Sequence, residues 1–331
     1  MRTIRIGTRD SQLAVWQATT VRDLLAKAGV PAKLVYMKSE GDIDTVTPLY
    51  ALGVTGVFTK TLDAALLNDR IDIAVHSMKD VPTQLAQGLR QAAVLKRASH
   101  KDILVFKDTM VTEVLGFANG QWSMVNSKSG SSFTIHHSPF TIATGSVRRR
   151  AQWLNRFPDH QFENLRGNVN TRLRKLAESN WHGAIFAAAG LERIGLRPEQ
   201  SVDLDWMLPA PAQGAIMIAC RKDDAYAYES CQRFNHEPTA LATKIERDFL
   251  SALMGGCSTP ISGLATVGRK YVQFNGNIVS PDGKDKAEMG YRMEIAEAQE
   301  LGYRAAEAIL ANGGKEIVEK LRNKGLSDEE A

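Results

Sequence analysis

The 331-residue sequence has few of the features that mark disulfide-rich, metal-binding or membrane-spanning proteins. Its three cysteines, Cys220, Cys231 and Cys257, are an odd number and lack zinc-site spacing, so neither a disulfide framework nor a metal centre is expected. No run approaches about 18 uninterrupted apolar residues, and the first residues, MRTIRIGTRD, lack the apolar core of a signal peptide. We therefore expect a cytoplasmic protein without a membrane segment.

The charge balance is equally plain: 41 Lys and Arg face 37 Asp and Glu, which gives a formal net charge of +4. With 44% hydrophobic residues the composition is that of an ordinary globular chain, which excludes disordered and fibrous classes. The length predicts two or three domains. As a total, +4 is too small to indicate nucleic-acid binding, so the distribution of charge carries more information.

Short β-type runs alternate with helical periodicity in the first two thirds of the chain, which predicts an α/β fold with largely parallel sheets. The predicted strands are 3–7, 33–37, 71–75, 91–95, 103–106, 141–143, 184–188 and AIMIAC at 215–220. Predicted helices begin at Ser11 and cover 59–68, 146–156 and 170–179. Residues 107–140 are irregular, although QWSMVNS and SSFTIHH could form a small hairpin.

The last third has a different pattern, which predicts a separate α+β domain. Its predicted helices are 239–253, 296–310 and 314–323, and its β-type runs are 262–267, 271–279 and 290–295.

Ligands of open α/β sheets bind at the carboxyl ends of strands, so the loops there are the first place to look for chemistry. Gly7-Thr8-Arg9-Asp10-Ser11 joins a strand to a helix N-terminus, where free N–H groups and an arginine can bind an anion. The alternative is that Ser11 only caps the helix and Arg9 is solvated.

The second unusual loop is HSMKDVP, at 76–82, directly after an apolar strand. Lys79 and Asp80 lie side by side there, and a carboxylate so placed can move protons or stabilise a cation. Taken in isolation, a surface Lys-Asp pair in a turn explains the string as well.

Basic residues concentrate between Thr144 and Lys175, where only Asp159 and Glu163 oppose them. The basic residues are Arg148, Arg149, Arg150, Arg156, Arg166, Arg172, Arg174 and Lys175. Guanidinium forks suit carboxylates and phosphates, so the segment predicts a polyanionic ligand. A solvated helix face would explain Arg150, Arg156 and Arg174, but it explains the Gly-Ser-Val-Arg-Arg and Leu-Arg-Gly-Asn turns less well.

Cys257 differs from the other two cysteines in its surroundings, GGCSTP. Two glycines and a nearby proline predict a tight, exposed loop, so its thiol is a candidate for reaction or covalent modification. Cys220 and Cys231 are interpreted as small buried hydrophobic residues.

Seven motifs in this order resemble the porphobilinogen deaminase (hydroxymethylbilane synthase) family: GTRDSQLAVWQA, HSMKDVP, TGSVRRRAQ, LRGNVNTRL, AAAGLERIG, PAPAQGA and GGCSTPI. The resemblance covers essentially the whole chain except roughly 107–140. It implies two α/β domains like those of periplasmic binding proteins, the first discontinuous, plus a C-terminal α+β domain. The implied domains are 1–100 with 214–232, 103–209, and 237–331.

The resemblance also implies an activity. Family members join four porphobilinogen molecules head to tail with release of ammonia, and then hydrolyse off hydroxymethylbilane. The primer is a dipyrromethane cofactor, held by a thioether to a cysteine that matches Cys257. The catalytic carboxylate matches Asp80, and the family expectation is a monomer without nucleic-acid or membrane partners.

Further positions match family contacts to the carboxylates of cofactor and substrate. The matching arginines are Arg9, Arg148, Arg149, Arg166, Arg172 and Arg193. The matching polar residues are Ser11, Gln17, Ser77, Lys79, Thr144, Ser146 and Gln213. Phe58 falls where the family has an aromatic residue beside the incoming pyrrole, and Lys60 follows it.

The sequence departs from the family pattern at Thr55, Gly145, Ala212 and Thr259, and in the longer segment at 107–140. Two other functions are considered beside the enzyme. A non-catalytic anion-binding protein of the periplasmic-binding-protein type would have no use for the Gly-Gly-Cys loop. A nucleic-acid-binding protein would use the arginines of 148–175 but would leave Asp80 and Cys257 without a role.

Overall fold

The computed structural model describes residues 2–38, 59–107, 117–118, 121–122, 139–253 and 259–327. Its strands are β1 (Ile4–Arg9), β2 (Ala32–Met37), β3 (Ile73–Ser77), β4 (Leu89–Val94), β5 (Asp102–Phe106), β6 (Phe117–Ala118), β7 (Gln121–Trp122), β8 (Thr141–Ala143), β9 (Gln161–Glu163), β10 (Gly183–Ala187), β11 (Ser201–Asp203), β12 (Ile216–Arg221), β13 (Ile261–Val267), β14 (Tyr271–Val279) and β15 (Lys286–Glu294).

The α-helices are α1 (Gln12–Lys27), α2 (Lys60–Leu67), α3 (Val147–Arg156), α4 (Val169–Glu178), α5 (Ala188–Glu192), α6 (Ala225–Gln232), α7 (Glu237–Leu253), α8 (Leu301–Ile309) and α9 (Lys315–Ser327). Within the described ranges, no helix combines the length and apolar character that crossing a bilayer requires.

The first sheet has the strand order β2-β1-β3-β12-β4, in which β2, β1 and β3 are parallel and β12 runs antiparallel to both of its neighbours, β3 and β4. Strand β3 lies in the centre, buried on both faces, which is why its sequence is a nearly continuous apolar run. Leu25 of α1 and Cys231 of α6 pack on one face, and Leu62 and Leu66 of α2 pack on the other. Strand β12 follows the whole second sheet in sequence, so the first domain is discontinuous.

The second sheet has the order β11-β5-β10-β8-β9, with β5 antiparallel to β10 and β11. Trp153 of α3 packs on one face of this sheet, and Leu176 of α4 with Leu191 of α5 packs on the other. Each α/β sheet therefore has its own hydrophobic core on both faces.

Two crossing segments, 95–101 and 204–215, connect the two sheets. They run next to each other, since the Ala98 N–H donates to the Gly214 carbonyl at 3.0 Å and the Leu95 N–H donates to the Ile216 carbonyl at 3.0 Å. Among the described residues, these two hydrogen-bonded segments are the covalent connections between the two sheets.

The C-terminal unit is an antiparallel sheet, β13-β14-β15, covered by α7 and α8. Phe249 of α7 and Phe274 of β14 meet edge to face in its core, with ring centroids 5.0 Å apart. The predicted fold class is confirmed: two mixed α/β sheets, the first discontinuous, precede an α+β unit. The exact domain boundaries stay a prediction.

Some predicted elements needed correction. The run predicted at 290–295 is the end of a longer strand, β15, in which exposed residues alternate with buried or half-buried apolar ones from Lys286 to Glu294. The segment predicted as a helix from 296 begins with a 3₁₀ turn, and α8 starts at Leu301. Gln121–Trp122 pairs with Phe117–Ala118, whereas SSFTIHH lies outside the described residues.

Candidate functional site

A cavity of about 430 Å³ lies where the strand ends of the two α/β sheets face each other. Most of the predicted site residues line it: Arg9, Ser11, Ser77, Lys79, Asp80, Arg149, Arg166, Arg172, Arg193 and Gln213. These residues come from separate loops and elements between Arg9 and Gln213, so the fold rather than the local sequence brings them together. The volume lies within the range of about 300–1,000 Å³ that is usual for small-molecule sites.

Asp80 stands on a 3₁₀ turn, Met78–Asp80, that follows β3 directly. Met78 anchors the turn, because its side chain is fully buried and its N–H donates to the Ala215 carbonyl at 3.0 Å. The Val81 N–H closes the turn on the Met78 carbonyl at 3.1 Å. With Met78 pointing into the core, Lys79 and Asp80 are left on the cavity wall.

The environment of Lys79 disfavours the charged form of its side chain. Burial lowers the pKa of its ammonium group to about 8, and the positive charges of Arg149 and Arg148 act in the same direction. Asp80 and Asp102 oppose the shift. An anionic ligand in the cavity would raise the pKa of Lys79 and stabilise its charged form.

Arg9 and Ser11 both lie on the cavity wall at the start of α1. Ser11 also caps this helix, since its Oγ accepts the Ala14 N–H at 3.4 Å. The two interpretations of Ser11 are thus compatible: the same residue ends the strand-to-helix turn and faces the cavity.

A smaller chamber of about 30 Å³ adjoins the cavity and shares Arg9, Leu13, Ser77 and Asp80 with it. Gln17 lines the chamber and donates from Nε2 to the Ser77 Oγ at 2.9 Å. The chamber also contains His76, a residue that sequence reasoning passed over although it begins the HSMKDVP motif.

Three further arginines, Arg166, Arg172 and Arg193, line the cavity from the loops and helices of the second α/β unit. Arg172 is held by its Nε, which donates to the Gly167 carbonyl at 2.7 Å, and Arg193 by its Nη2, which donates to the Gly214 carbonyl at 2.8 Å. Burial lowers the pKa values of both Arg172 and Arg193 to about 10. Both remain cationic at neutral pH and are poorly solvated, which favours pairing with ligand carboxylates.

Arg148 and Arg149 both bind Asp102, a completely buried carboxylate at the start of β5. Arg148 donates from Nη2 to Oδ2 at 2.7 Å, and Arg149 donates from Nε and Nη2 to Oδ1 at 3.0 and 2.7 Å. Gln213 adds a bond from Nε2 to Oδ1 at 2.9 Å. These cations and hydrogen bonds outweigh burial and hold the pKa of Asp102 at about 2.

Arg149 lines the cavity, whereas Arg148 does not. Arg148 instead donates from Nη1 to the Leu208 carbonyl at 2.7 Å. Asp102 is the functional residue that the sequence analysis missed. The sequence does contain an indication of it: Asp102 begins the apolar strand DILVF, and a carboxylate in a buried strand needs a cationic or hydrogen-bonding partner.

The remaining predicted residues lie elsewhere. Thr144 and Ser146 shape the start of α3: the Ser146 Oγ accepts the Arg149 N–H at 3.4 Å, and the Thr144 Oγ1 accepts the Ser146 N–H at 3.2 Å. Lys60 is exposed at the first residue of α2. Phe58 and Cys257 lie outside the described residues.

The structure shows the backbone surroundings of two residues, Gly145 and Ala212, at which the sequence departs from the family pattern. A Cβ at Gly145 would lie 2.7 Å from the Leu165 carbonyl oxygen, so a serine would not fit without a backbone shift. Ala212 has φ 62°, a left-handed conformation that favours the glycine found in the family pattern.

The fold and site define a class of protein: two α/β units around a cleft lined by several cations and by the Asp80 carboxylate at the end of a buried strand, with a third unit appended. Comparison with known proteins makes the assignment specific. The family model described as "Porphobilinogen deaminase, dipyromethane cofactor binding domain" matches residues 4–229, and "Porphobilinogen deaminase, C-terminal domain" matches 240–311. The chain belongs to the porphobilinogen deaminase family.

Curated relatives agree along their whole length. Porphobilinogen deaminase of Trichlorobacter lovleyi is 37% identical over 328 residues, covering 98% of both chains. The enzymes of Pelotomaculum thermopropionicum and Shouchella clausii are each 38% identical, covering 97% of both chains and 98% of both chains respectively. The predicted family, transferase class and dipyrromethane cofactor are thereby confirmed.

Solved structures of solute-binding proteins are more distant. An ancestral cationic amino acid solute binding protein is 15% identical, covers 70% of this chain and 87% of its own, and has a TM-score of 0.42. A score this low adds nothing to the fold as derived from the strand order. It likewise lends no weight to a non-catalytic anion-binding function.

The residues of the cavity fit a dipyrromethane. Two pyrroles carrying acetate and propionate present four carboxylates, and six cations line the wall: Arg9, Lys79, Arg149, Arg166, Arg172 and Arg193. Guanidinium groups are the donors best matched to carboxylates. The arginines of 148–175 include Arg148, Arg149 and Arg166, which are all buried. These three therefore do not belong to a solvated surface stripe of the kind that binds nucleic acid.

Proposed function

We propose that this chain joins four porphobilinogen molecules head to tail, with release of ammonia, and hydrolyses the product to hydroxymethylbilane. The observation that carries the proposal is the position of Asp80, a carboxylate on the wall of a cavity lined by six cations. Cations of this number suit a substrate rich in carboxylates. The lone catalytic carboxylate suits a reaction in which positive charge develops.

Asp80 is assigned the catalytic role. When the aminomethyl carbon–nitrogen bond of porphobilinogen breaks, nitrogen leaves with the electron pair as ammonia and the pyrrole that remains is a cationic azafulvenium. A carboxylate beside that carbon stabilises the charge. After the new carbon–carbon bond forms, the Asp80 carboxylate accepts the proton from the α-carbon, which restores the aromatic pyrrole.

The cationic side chains bind and orient. Arg9, Arg166, Arg172 and Arg193 pair with acetate and propionate groups, and Ser11 and Ser77 add hydrogen bonds from the strand ends of the first sheet. Arg149 is held rigidly on Asp102, so it presents its remaining N–H groups at a fixed position. Arg148, Thr144 and Ser146 support this arrangement from behind the wall.

Cys257 is assigned as the attachment point of the cofactor through a thioether. When bound, the dipyrromethane supplies the free α-carbon to which the first substrate is joined. Phe58 and Lys60 are assigned to the side from which substrate enters. A monomeric state and a cytoplasmic location complete the proposal.

The test of Asp80 is Asp80→Asn, with Asp10→Asn as its matched control. Both carboxylates line the cavity, but Asp10 is exposed and precedes α1. We expect Asp80→Asn to keep the fold and the cofactor and to lower the single-turnover rate by a factor of 10² or more. Asp10→Asn should retain most of the rate. Near-normal turnover by Asp80→Asn would refute the assignment.

Cys257 is tested separately by intact-protein mass spectrometry of Cys257→Ser, with Cys231→Ser as control because Cys231 is a fully buried thiol. The parent and the control should carry the mass of a dipyrromethane and give the pyrrole colour reaction with acidic p-dimethylaminobenzaldehyde. Cys257→Ser should do neither. Retention of the added mass by Cys257→Ser would move the attachment to another residue.

A further inference from the structure

The small chamber beside Asp80 contains a buried side chain that the proposed mechanism does not use. His76 is the fourth residue of β3, and only 7% of its surface is exposed. In the described part of the chain its imidazole has no hydrogen-bond partner. Such a ring, on the wall of a chamber of mixed polar and apolar lining, is available to a small ligand.

The size and lining of the chamber limit what that ligand can be. The volume of about 30 Å³ is enough for one or two molecules the size of water, since a cavity needs about 10–15 Å³ to hold one water molecule. Six of the ten lining residues are polar, namely Arg9, Gln17, Thr59, His76, Ser77 and Asp80, and the other four are apolar. A molecule of one heavy atom with several hydrogen-bonding positions fits; a pyrrole does not.

His76 is held in its neutral form. Burial lowers the pKa of the imidazole to about 4, and the charge of Arg9 acts in the same direction. A neutral imidazole keeps a lone pair that accepts an N–H. The Asp80 carboxylate is a second acceptor on the same chamber, and it faces the main cavity as well.

We propose that this chamber is the binding site for the ammonia released from each porphobilinogen, with the His76 imidazole and the Asp80 carboxylate as its hydrogen-bond acceptors. The proposal rests on the proposed function, because it takes Asp80 to lie beside the carbon that loses nitrogen. Because Asp80 lines both spaces, the released ammonia has only to pass this carboxylate to move from the main cavity into the chamber.

The chemistry balances without another reagent. The substrate enters with a protonated aminomethyl group and loses neutral ammonia, so the positive charge stays on the pyrrole. Carbon–carbon bond formation leaves an extra proton on the α-carbon, and Asp80 accepts it. Ammonia in the chamber then takes that proton from Asp80 and leaves as ammonium, which returns the carboxylate to its starting state.

The test follows the imidazole nitrogens of the holoenzyme labelled with ¹⁵N-histidine, at pH 8.5, during titration with ammonium chloride. His76→Gln identifies the His76 signals by their loss. We expect these signals to shift saturably with ammonium and not with sodium chloride of equal concentration. Half-saturation should be on the order of 0.1 M, since a ligand of one heavy atom binds weakly.

Ala14 provides the decisive variant because it lines the chamber but not the main cavity. Ala14→Leu fills the chamber and should abolish the shift, with Ala14→Val as substitute where leucine prevents folding. Ala18→Val is the matched control: Ala18 lies one turn further along α1, fully buried in the core and away from the chamber. It should keep the shift.

Two results would overturn the proposal: no saturable shift of the His76 signals in the parent, or an unchanged shift in the filled variant. Neither depends on turnover. Failure of the proposed function is recognised independently, as an absence of porphobilinogen consumption by the parent.

Discussion

Arg97 and Glu246 form a two-pronged ion pair in which Nη1 lies 2.6 Å from Oε1 and Nη2 lies 2.7 Å from Oε2. Arg97 belongs to the first crossing segment, and Glu246 to α7 of the C-terminal unit. The same two carboxylate oxygens accept the N–H groups of Ala212, in the second crossing segment, and Ala265, in β13. One buried carboxylate therefore joins both crossing segments to the C-terminal unit.

Removal of this carboxylate should be costly. Glu246→Ala leaves the Arg97 guanidinium and two backbone N–H groups without their acceptor, and we expect a loss of about 3–5 kcal/mol in the free energy of unfolding. The control is Asp248→Ala, two residues along the same helix. Asp248 pairs with the half-exposed Lys244 at 2.6 Å, and such pairs contribute about 0.5 kcal/mol. Urea unfolding measures both, and equal losses would contradict the interpretation.

Lys79 makes ligand binding depend on pH. Its ammonium group has a pKa of about 8 in the free cavity, so half of the charge is lost at that pH and most of it a unit higher. Binding of a polycarboxylate stabilises the protonated form. Affinity should therefore be constant well below pH 8 and fall as pH rises through 8, approaching tenfold per unit if one proton is taken up.

Calorimetry with an unreactive 2-methylpyrrole that carries acetate and propionate checks this expectation between pH 6.5 and 9.0, below the pKa values of Arg172 and Arg193. Lys79→Arg keeps its charge in this range and should bind with a nearly flat profile. Lys79→Met should bind more weakly at pH 7, also with a flat profile. If the parent and Lys79→Met lose affinity in parallel above pH 8, another group is responsible.

Local features of the fold could be predicted from the sequence. Ser11 precedes a helical period and caps it, and β3 is recognisable because a central parallel strand must be apolar on both faces. Both depend on neighbours in the sequence. The discontinuity of the first sheet is different: β12 pairs with β3 across more than 130 residues, and only the family resemblance indicated it.

The arginines show the same limit within the site. Local sequence treats Arg148 and Arg149 alike, since both stand at the start of one helix. Their difference arises from Asp102 and the Leu208 carbonyl, which lie 46 and 60 residues away from Arg148. Which arginine faces the cavity is decided by these distant partners. His76 was missed for the converse reason: a histidine in a strand shows nothing of the chamber beside it.

His160 should make the second α/β unit sensitive to acid. Its Nδ1 accepts the Trp153 Nε1–H at 3.1 Å, and the rings of Phe140 and Phe157 lie 5.4 and 5.2 Å away. Burial, aided by His182 and opposed by Asp159, lowers the pKa of the imidazole from 6.5 to about 4. Between these values the unfolded chain binds the proton and the folded chain does not. Stability is therefore complete above pH 6.5 and declines as pH falls towards 4.

His160→Gln isolates this contribution because glutamine keeps an acceptor for Trp153 but does not titrate. The variant should be less stable than the parent at pH 7.5, where the ring packing is lost. Between pH 6.5 and 4.5 the parent should lose on the order of 1–2 kcal/mol more than the variant, after allowance for the partial exposure of the ring. Urea unfolding at pH 7.5, 6.5, 5.5 and 4.5 measures the difference, and carboxylate titration cancels because both proteins share it. Parallel profiles for the two proteins would show that His160 already titrates normally in the folded state.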